Sequence, residues 1–456
     1  MPNMNQAKFM SQYVYALSSD FKAADGTPAK WAPNMPSYWG SESKHLKFDT
    51  TVSAFALSGD DSLLAIGVGK AIHIYGTKDW ELRQALNVDY SEVSKLEFVL
   101  KTGTGYVLVS GGSNYERGTG PMIVMWELDD EGKDIKASAS AQVDIEAVAK
   151  KASNLVLEDL KWSDESEVAK TLEVDFKKAL TAATAAKGLE SRTVLEGSFG
   201  SFGSQLFSPD GKYMITQSGN DNKPFVEIWD PETRTSIHKL SGHTDSIMWI
   251  RASPDSKMVA SVAWDGFVKV WNLESGECLH TFGNFGGQMW AGVWSPDSKY
   301  LAFSQGSPET IVFVYNVEAG EQTSKFMGIK NWARSMDWSP DGKFLASGAE
   351  EGLVVVWDPM TGNEMMRWEL KFDDNERMMK HFISTWCVKF VGPKLIFQTT
   401  EGTTEVYDFE SNLKSQFTRK TEDELDSMVY ASLEVSHNGK FLVSGDADKT
   451  VRIWDY

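Results

Sequence analysis

The chain has 456 residues, 41% apolar and 24% charged, proportions that suit a protein with a well-filled core. A formal charge of −19 argues against nucleic acid or an anionic membrane as the main partner, since both select for clusters of lysine and arginine. Two cysteines, Cys278 and Cys387, cannot build a disulfide framework, and no C-x-x-C is present for zinc or redox chemistry.

The opening stretch, MPNMNQAKFMSQYVYALSSDF, has no basic segment followed by an apolar run and does not read as a secretory signal. No apolar stretch reaches the ~18 residues that a membrane span requires. These features predict a cytoplasmic or nuclear protein. Residues 1–44 form an N-terminal segment, partly irregular. Its PAKWAPNMPSYWG run is expected either to drape on the rest of the chain or to dock elsewhere.

From residue 45 a repeat takes over. FSPDGKYMITQSGNDNKPFVEIWD, ASPDSKMVASVAWDGFVKVWN, WSPDSKYLAFSQGSPETIVFVYN, WSPDGKFLASGAEEGLVVVWD and VSHNGKFLVSGDADKTVRIWD share one plan. An alternating strand leads into a Ser-Pro-Asp-Gly-like turn, in which proline presets φ and Asp and Gly favour the bend. A second strand, a polar turn and a third strand follow, and a more polar fourth strand such as GECLHTF precedes the next unit. The third strands end in Tyr75, Trp126, Trp229, Trp271, Tyr315, Trp357, Tyr407 and Trp454. Successive aromatics lie 42 to 51 residues apart, the length of a four-stranded unit, except for 103 residues between Trp126 and Trp229. That interval holds residues 139–191. There Ile145, Val148, Ala152 and Leu155, and then Val168, Leu172, Phe176, Leu180 and Ala183, fall on helical faces, with Gly188 as a stop. The expectation is a helical hairpin inserted between the third and fourth strands of the second unit. A ninth unit starting at LEDLKWSDES is the alternative, for which TAATAAKG is poor strand material.

With Trp-Asp closing the third strand at 229–230, 357–358 and 454–455 and Gly-His at 242–243, the chain resembles the WD-repeat β-propeller family over about residues 45–456. The resemblance implies an all-β propeller of eight blades, or seven if a degenerate unit near one end is not a blade. The sequence stops after a third strand, and HLKFD (45–49) is placed to supply the missing outer strand and remove an open edge. The resemblance further implies that His243, Ser261, Asp265 and Trp271 make a structural hydrogen-bonded clasp. The rival reading, a Ser-His-Asp hydrolase, needs an exposed serine beside an oxyanion hole. Ser261 instead lies mid-strand in VASVA, and no G-x-S-x-G occurs. Fragments of the clasp recur as Ser347 and Trp357, with Glu351 replacing Asp, and as Ser444, Asp448 and Trp454.

No metal, nucleotide or catalytic motif is found, so neither a cofactor nor an enzymatic activity is predicted. The runs GGSNYERGTG and GSFGSFG lack the Lys-Ser/Thr ending of a phosphate loop. In propellers the start of each first strand points to the channel mouth. Those positions hold Ser53, Ser94, Gly203, Met248, Trp290, Arg334, Trp386 and Ala431. Trp264, in a second-to-third strand turn, and Trp332 are expected on the same face. Aromatic, Met and Arg residues are the types enriched at interface centres. Met248, Trp264, Trp290, Trp332, Arg334 and Trp386 are therefore the candidate partner-binding residues, against the alternative that they fill the channel. The positions two residues after Trp-Asp hold Glu232 and Met360, not the arginine of cullin-type substrate receptors. The expected function is a non-catalytic scaffold binding a peptide or protein segment on this top face. A structural subunit of a larger assembly, and an enzyme with a site at the channel mouth, are the alternatives.

Overall fold

The structure, a computed structural model, describes residues 19–33, 42–50, 52–88, 91–99, 105–114, 119–135, 194–199, 204–220, 223–306, 309–329, 331–370, 384–399, 404–417, 433–445 and 449–455. They form eight separate sheets, so the eight-bladed expectation holds and the seven-bladed alternative is set aside. Blade four shows the plan, with Ile247–Ala252 innermost, then Met258–Ala263, Val268–Asn272 and Cys278–Phe282, all antiparallel. Neighbouring blades cover both faces of the inner strands, so Val259, Ala260, Ser261, Val262 and Ala263 are all fully buried. Eight apolar clusters fill the seams, one between each pair of consecutive blades, and the last joins Val443, Val451 and Ile453 of blade eight to Phe55, Leu57 and Ile66 of blade one. Blade eight takes its outer strand from the other end of the chain. Lys44–Lys47 pairs antiparallel with Thr450–Asp455, from Lys44 opposite Ile453 to Lys47 opposite Thr450.

One pairing recurs across the second and third strands. The indole N–H groups of Trp126, Trp229, Trp271, Trp357 and Trp454 donate to hydroxyls of Ser110, Thr216, Ser261, Ser347 and Ser444, at 2.7 to 3.3 Å. Where the third-strand aromatic is Tyr75, Tyr315 or Tyr407, the register places Ile66, Phe303 or Phe397 at the hydroxyl's position. A buried indole N–H needs an acceptor within the sheet, whereas a phenol carries its polar atom out to the ring's far end. Tyr407, for example, meets Asn412 Oδ1 at 2.9 Å.

The Ser-Pro-Asp turns are built alike. Ser253 Oγ bonds Asp255 Oδ1 at 2.6 Å and accepts from Met258 N at 3.0 Å. The fourth turn residue is left-handed, which suits Gly211, Gly342 and Gly439 but is also imposed on Asp61, Ser256 and Ser298. These three each reach the turn of the preceding blade. Ser256 Oγ accepts from Asp210 N, Ser298 Oγ from Asp255 N, and Asp61 from the His437 and Asn438 amides across the closing seam.

Blade three departs from the plan. Among the described residues its sheet has Met214–Asn220, Lys223–Asp230 and Thr235–Ser241, and the expected first strand contributes a bridge between Phe207 and Met214. The sequence entering it, GSFGSFGS, offers neither β-branched residues nor alternation. The backbone is held by its neighbours instead: Glu97 of blade two accepts from the Leu206 and Phe207 amides, and Gln205 N donates to Ile250 O of blade four. In blade two, the third strand Thr119–Leu128 pairs with a fourth, Val194–Glu196, which places the insertion between them as expected. The helical hairpin, and the ninth unit weighed against it, lie outside the described residues.

Residues 19–33 of the N-terminal segment lie on blades six and seven. Lys30–Trp31 adds a parallel fifth strand to the outer edge of blade seven, opposite Leu413 and Lys414. Phe21 is buried against Trp368, Phe397 and Tyr407, with ring centres 5.0 to 5.7 Å apart, and Trp368 Nε1 donates to Lys22 O at 2.9 Å. Ser19 donates through N and Oγ to the two oxygens of Glu405, at 2.8 and 2.6 Å.

Three outcomes follow. Ser347→Ala leaves the Trp357 N–H without an acceptor and is expected to cost about 1–3 kcal/mol in chemical denaturation. The double variant Ser347→Phe/Trp357→Tyr, which copies the pairing of blades five and seven, should lose less than the sum of its single changes. At Glu405, burial pushes the carboxyl up to about 7, the hydrogen bonds from Ser19 offsetting only part of the effect. The folded state thus holds this proton more tightly than the unfolded chain does. The associated stability is complete below the ordinary value of 4.5 and is lost as pH rises through about 7. Melting curves should show Glu405→Gln gaining on the wild type between about pH 5 and pH 8, by on the order of 3 kcal/mol.

Candidate functional site

The inner strands open with a repeated irregularity. In blades one, two, four, six and seven, one residue of the first strand has no partner across the ladder, and these are Ser53, Ser94, Met248, Arg334 and Trp386. In blade five the same gap holds Trp290 and Ala291. A bulge of this kind re-aims the side chain it carries. Gly203 and Ala431, the corresponding residues of blades three and eight, lie outside the described residues.

Five of the six candidate residues form one cluster. The Arg334 guanidinium lies 5.3 Å from the ring centre of Trp290, 4.7 Å from that of Trp332 and 5.2 Å from that of Trp386. Trp264 meets Trp290 edge to face at 5.1 Å, and Trp290 lies 5.6 Å from Trp332. Met248 occupies the matching bulge of blade four and takes no part in these ring contacts. All six side chains belong to half-buried residues. The fit depends on Gly306: a Cβ there would stand 2.3 Å from Trp332 Cδ1 and 2.5 Å from Trp290 Nε1. Glu350 brings a carboxylate oxygen to 3.6 Å from Arg334 Nη2, an ion pair beyond hydrogen-bond range. Burial lowers the pKa of the guanidinium and Glu350 opposes that shift, yet an arginine stays charged in this setting. Across the mouth, Ser53 and Ser94 donate to Gly67 O and Gly111 O of their own blades. Among the described residues, these positions are small and internally satisfied in blades one and two and bulky in blades four to seven.

The four clasp candidates also meet. His243 Nδ1 is 2.8 Å from Asp265 Oδ2 and Nε2 is 2.8 Å from Ser261 Oγ, which accepts from Trp271 Nε1 at 3.3 Å. An ionised Asp265 can only accept, so His243 donates to it through Nδ1, and in the neutral ring Nε2 is then left to accept the Ser261 hydroxyl hydrogen. Burial would raise the Asp265 carboxyl, but bonds from His243 and from the Thr244 and Phe267 amides outweigh it and hold it low. Ser261 is fully buried, which keeps its hydroxyl from any substrate.

Sequence reasoning passed over a set of charges lower in the channel. Lys95 and Glu97 of blade two, Arg251 of blade four, Asp337 of blade six, Lys389 of blade seven and Glu434 of blade eight stand on the inner strands, half-buried. Each braces a neighbour. Lys95 Nζ donates to Ser204 O, Arg251 Nε to Gln205 Oε1 at 2.8 Å, Phe390 N to Asp337 Oδ2 at 2.6 Å, and Lys389 Nζ to Glu434 Oε2 at 3.4 Å. Burial raises the carboxyls of Glu97 and Asp337 and pushes the Cys387 thiol up to about 12. The available signal was charge at alternating positions of otherwise apolar strands, as in VSKLEF and SMDW. Among the described residues no group of three or more His, Cys, Asp or Glu converges as a metal would require, and no helix is long and apolar enough to cross a membrane.

Eight radial sheets closed by a strand from the other end of the chain define a β-propeller. The family model for the WD domain, G-beta repeat, matches three stretches of this propeller, residues 234–272, 320–358 and 426–455. Similar proteins include Periodic tryptophan protein 2 homolog of Dictyostelium discoideum, 36% identical over 85 residues, which cover 18% of this chain and 9% of that protein. WD repeat-containing protein 75 of Mus musculus is 31% identical over 117 residues, covering 25% of this chain and 14% of that one. The aligned stretches thus span a small fraction of the length of either relative. The computationally designed Ika8 protein shares the fold, with a TM-score of 0.56 over 91% of this chain and all of its own, at 17% identity.

Gly306→Ala should push Trp290 and Trp332 apart. The expected result is a changed near-ultraviolet dichroism with an unchanged far-ultraviolet spectrum, and a stability loss of about 1–3 kcal/mol.

Proposed function

We propose that this propeller is a non-catalytic interaction scaffold that takes a peptide or protein segment at the mouth over blades four to seven. The observation that carries the reading is the cluster of Trp264, Trp290, Trp332, Trp386 and Arg334, five half-buried side chains from four consecutive blades held in mutual contact around a guanidinium. Trp and Arg in a partly desolvated hollow are the side chains that contribute most at interface centres. The internal satisfaction of the clasp and the burial of Ser261 support a structural role for His243, Ser261, Asp265 and Trp271 rather than hydrolysis. Cys278 is exposed and Cys387 is likewise free, which supports a reducing compartment, the cytosol or nucleus.

The test is affinity capture from a cell extract, comparing the wild type with a Trp290→Ala/Arg334→Glu/Trp386→Ala variant after circular dichroism has shown both to be folded. Loss of specific captured proteins with the variant is the expected result. Unchanged capture would assign the cluster to channel filling.

A further inference from the structure

The hydrogen bonds that Arg334 lacks say what the mouth receives. A guanidinium carries five N–H donors. Here its face is taken by the three indoles, and Glu350 approaches to 3.6 Å without bonding. Nε is buried with no acceptor, and so is the indole N–H of Trp264 at the edge of the same cluster. The side chain is 18% exposed and packed against three rings, so part of it remains open to solvent. A half-buried guanidinium in this state is matched by a planar acceptor that can take two parallel N–H bonds.

We infer that the Arg334 fork binds a carboxylate of the docked segment, either an Asp or Glu side chain or a free C-terminus, and that Glu350 is its internal competitor. The inference rests on the reading of this mouth as the docking site. It excludes the ligand that a three-indole cage would otherwise suggest. An ammonium or methylammonium group is attracted to the faces of such rings, but Arg334 already occupies that position, and an incoming cation would meet a like charge. Trp290, Trp332 and Trp386 hold the guanidinium in plane, so they act on the ligand through Arg334 as well as by their own contact. Glu350 is tied by a backbone bridge to Ser384, at the entry to blade seven. Its carboxylate stands on one side of the fork and has to yield when another carboxylate arrives.

The opposing roles of the two charged residues give the test its sign. Immobilised pools of seven-residue peptides with mixed flanks are compared for retention of the full-length protein. Three pools have both ends capped and carry Glu, Gln or Lys at the centre, and a fourth has neutral residues and a free C-terminal carboxylate. The expected result is at least tenfold greater retention on the Glu pool or the free-carboxylate pool than on the Gln and Lys pools, and the stronger of the two identifies the source. Arg334→Lys, which keeps the charge but not the planar fork, should remove that preference. Glu350→Gln should raise retention several-fold, a gain that a purely structural pairing of Glu350 with Arg334 would not produce. Equal retention on the Glu and Gln pools, preference for Lys, no retention on any pool, or weaker binding by Glu350→Gln overturns the inference. If the Gln pool binds as well as the Glu pool and Trp386→Ala abolishes both, the docking site stands and only the carboxylate is lost.

Discussion

A buried indole N–H without an acceptor costs about 1–3 kcal/mol, and this chain provides one in the same way in five of its eight blades. The pairing ties the end of the third strand to the middle of the second. Because side chains alternate across a strand, a slip of one residue would put the hydroxyl on the opposite face, so each bond also fixes register. Register in turn decides which residues of the second strand oppose the first, and therefore where the extra residue of the inner strand falls. Arg334 bulges from its strand because Ala333 is held opposite Ala349, whereas blade seven, with Tyr407 in place of tryptophan, sets Trp386 in the matching register without that bond. The position of Arg334 is thus tied to a bond made at the middle of its own blade, between Trp357 and Ser347.

The parts of the fold legible in the sequence were those set by local chemistry. The third-strand aromatics, the Ser-Pro-Asp turns and the polar fourth strands each follow from one short stretch, and they yielded eight blades and the closing strand. What escaped notice depends on neighbours. GSFGSFGS followed by FSPDG reads as the start of another unit, and nothing local says that Glu97, more than a hundred residues earlier, takes the amides that a ladder would otherwise use. The strap is a similar case. Phe21 and Ser19 carry no signal of their own, since their burial is created by Trp368, Tyr407 and Glu405. Spacing from the turn put Trp290 and Arg334, and the apolar pattern put Trp386, at matching positions of their first strands, but Glu350 and Gly306 matter only through what they face.

The left-handed turn residues show how such neighbour effects are distributed. Glycine is the low-strain choice, and Gly211, Gly342 and Gly439 take it. Asp61, Ser256 and Ser298 accept strain of roughly 1–2 kcal/mol and return a bond to the preceding blade. Asp61 does this at the seam where the two ends of the chain meet, and binds two backbone amides as well as the His437 ring. The closing seam lacks the covalent continuity of the others, so extra polar bonds there offset what chain connection supplies elsewhere.

The same logic separates the two sets of charges along the axis. Lys95, Glu97, Arg251, Asp337, Lys389 and Glu434 spend their hydrogen bonds on neighbouring blades, so that the channel wall is braced. Arg334 stands one level nearer the mouth, among rings rather than backbone amides, and makes none of these bonds. Packing fixes its position almost as firmly as bonding fixes the others, because Gly306 lets two indoles close over it. A side chain held in place by apolar contact keeps its polar atoms for something else. That difference separates the charges that brace neighbouring blades from the one that ring packing holds.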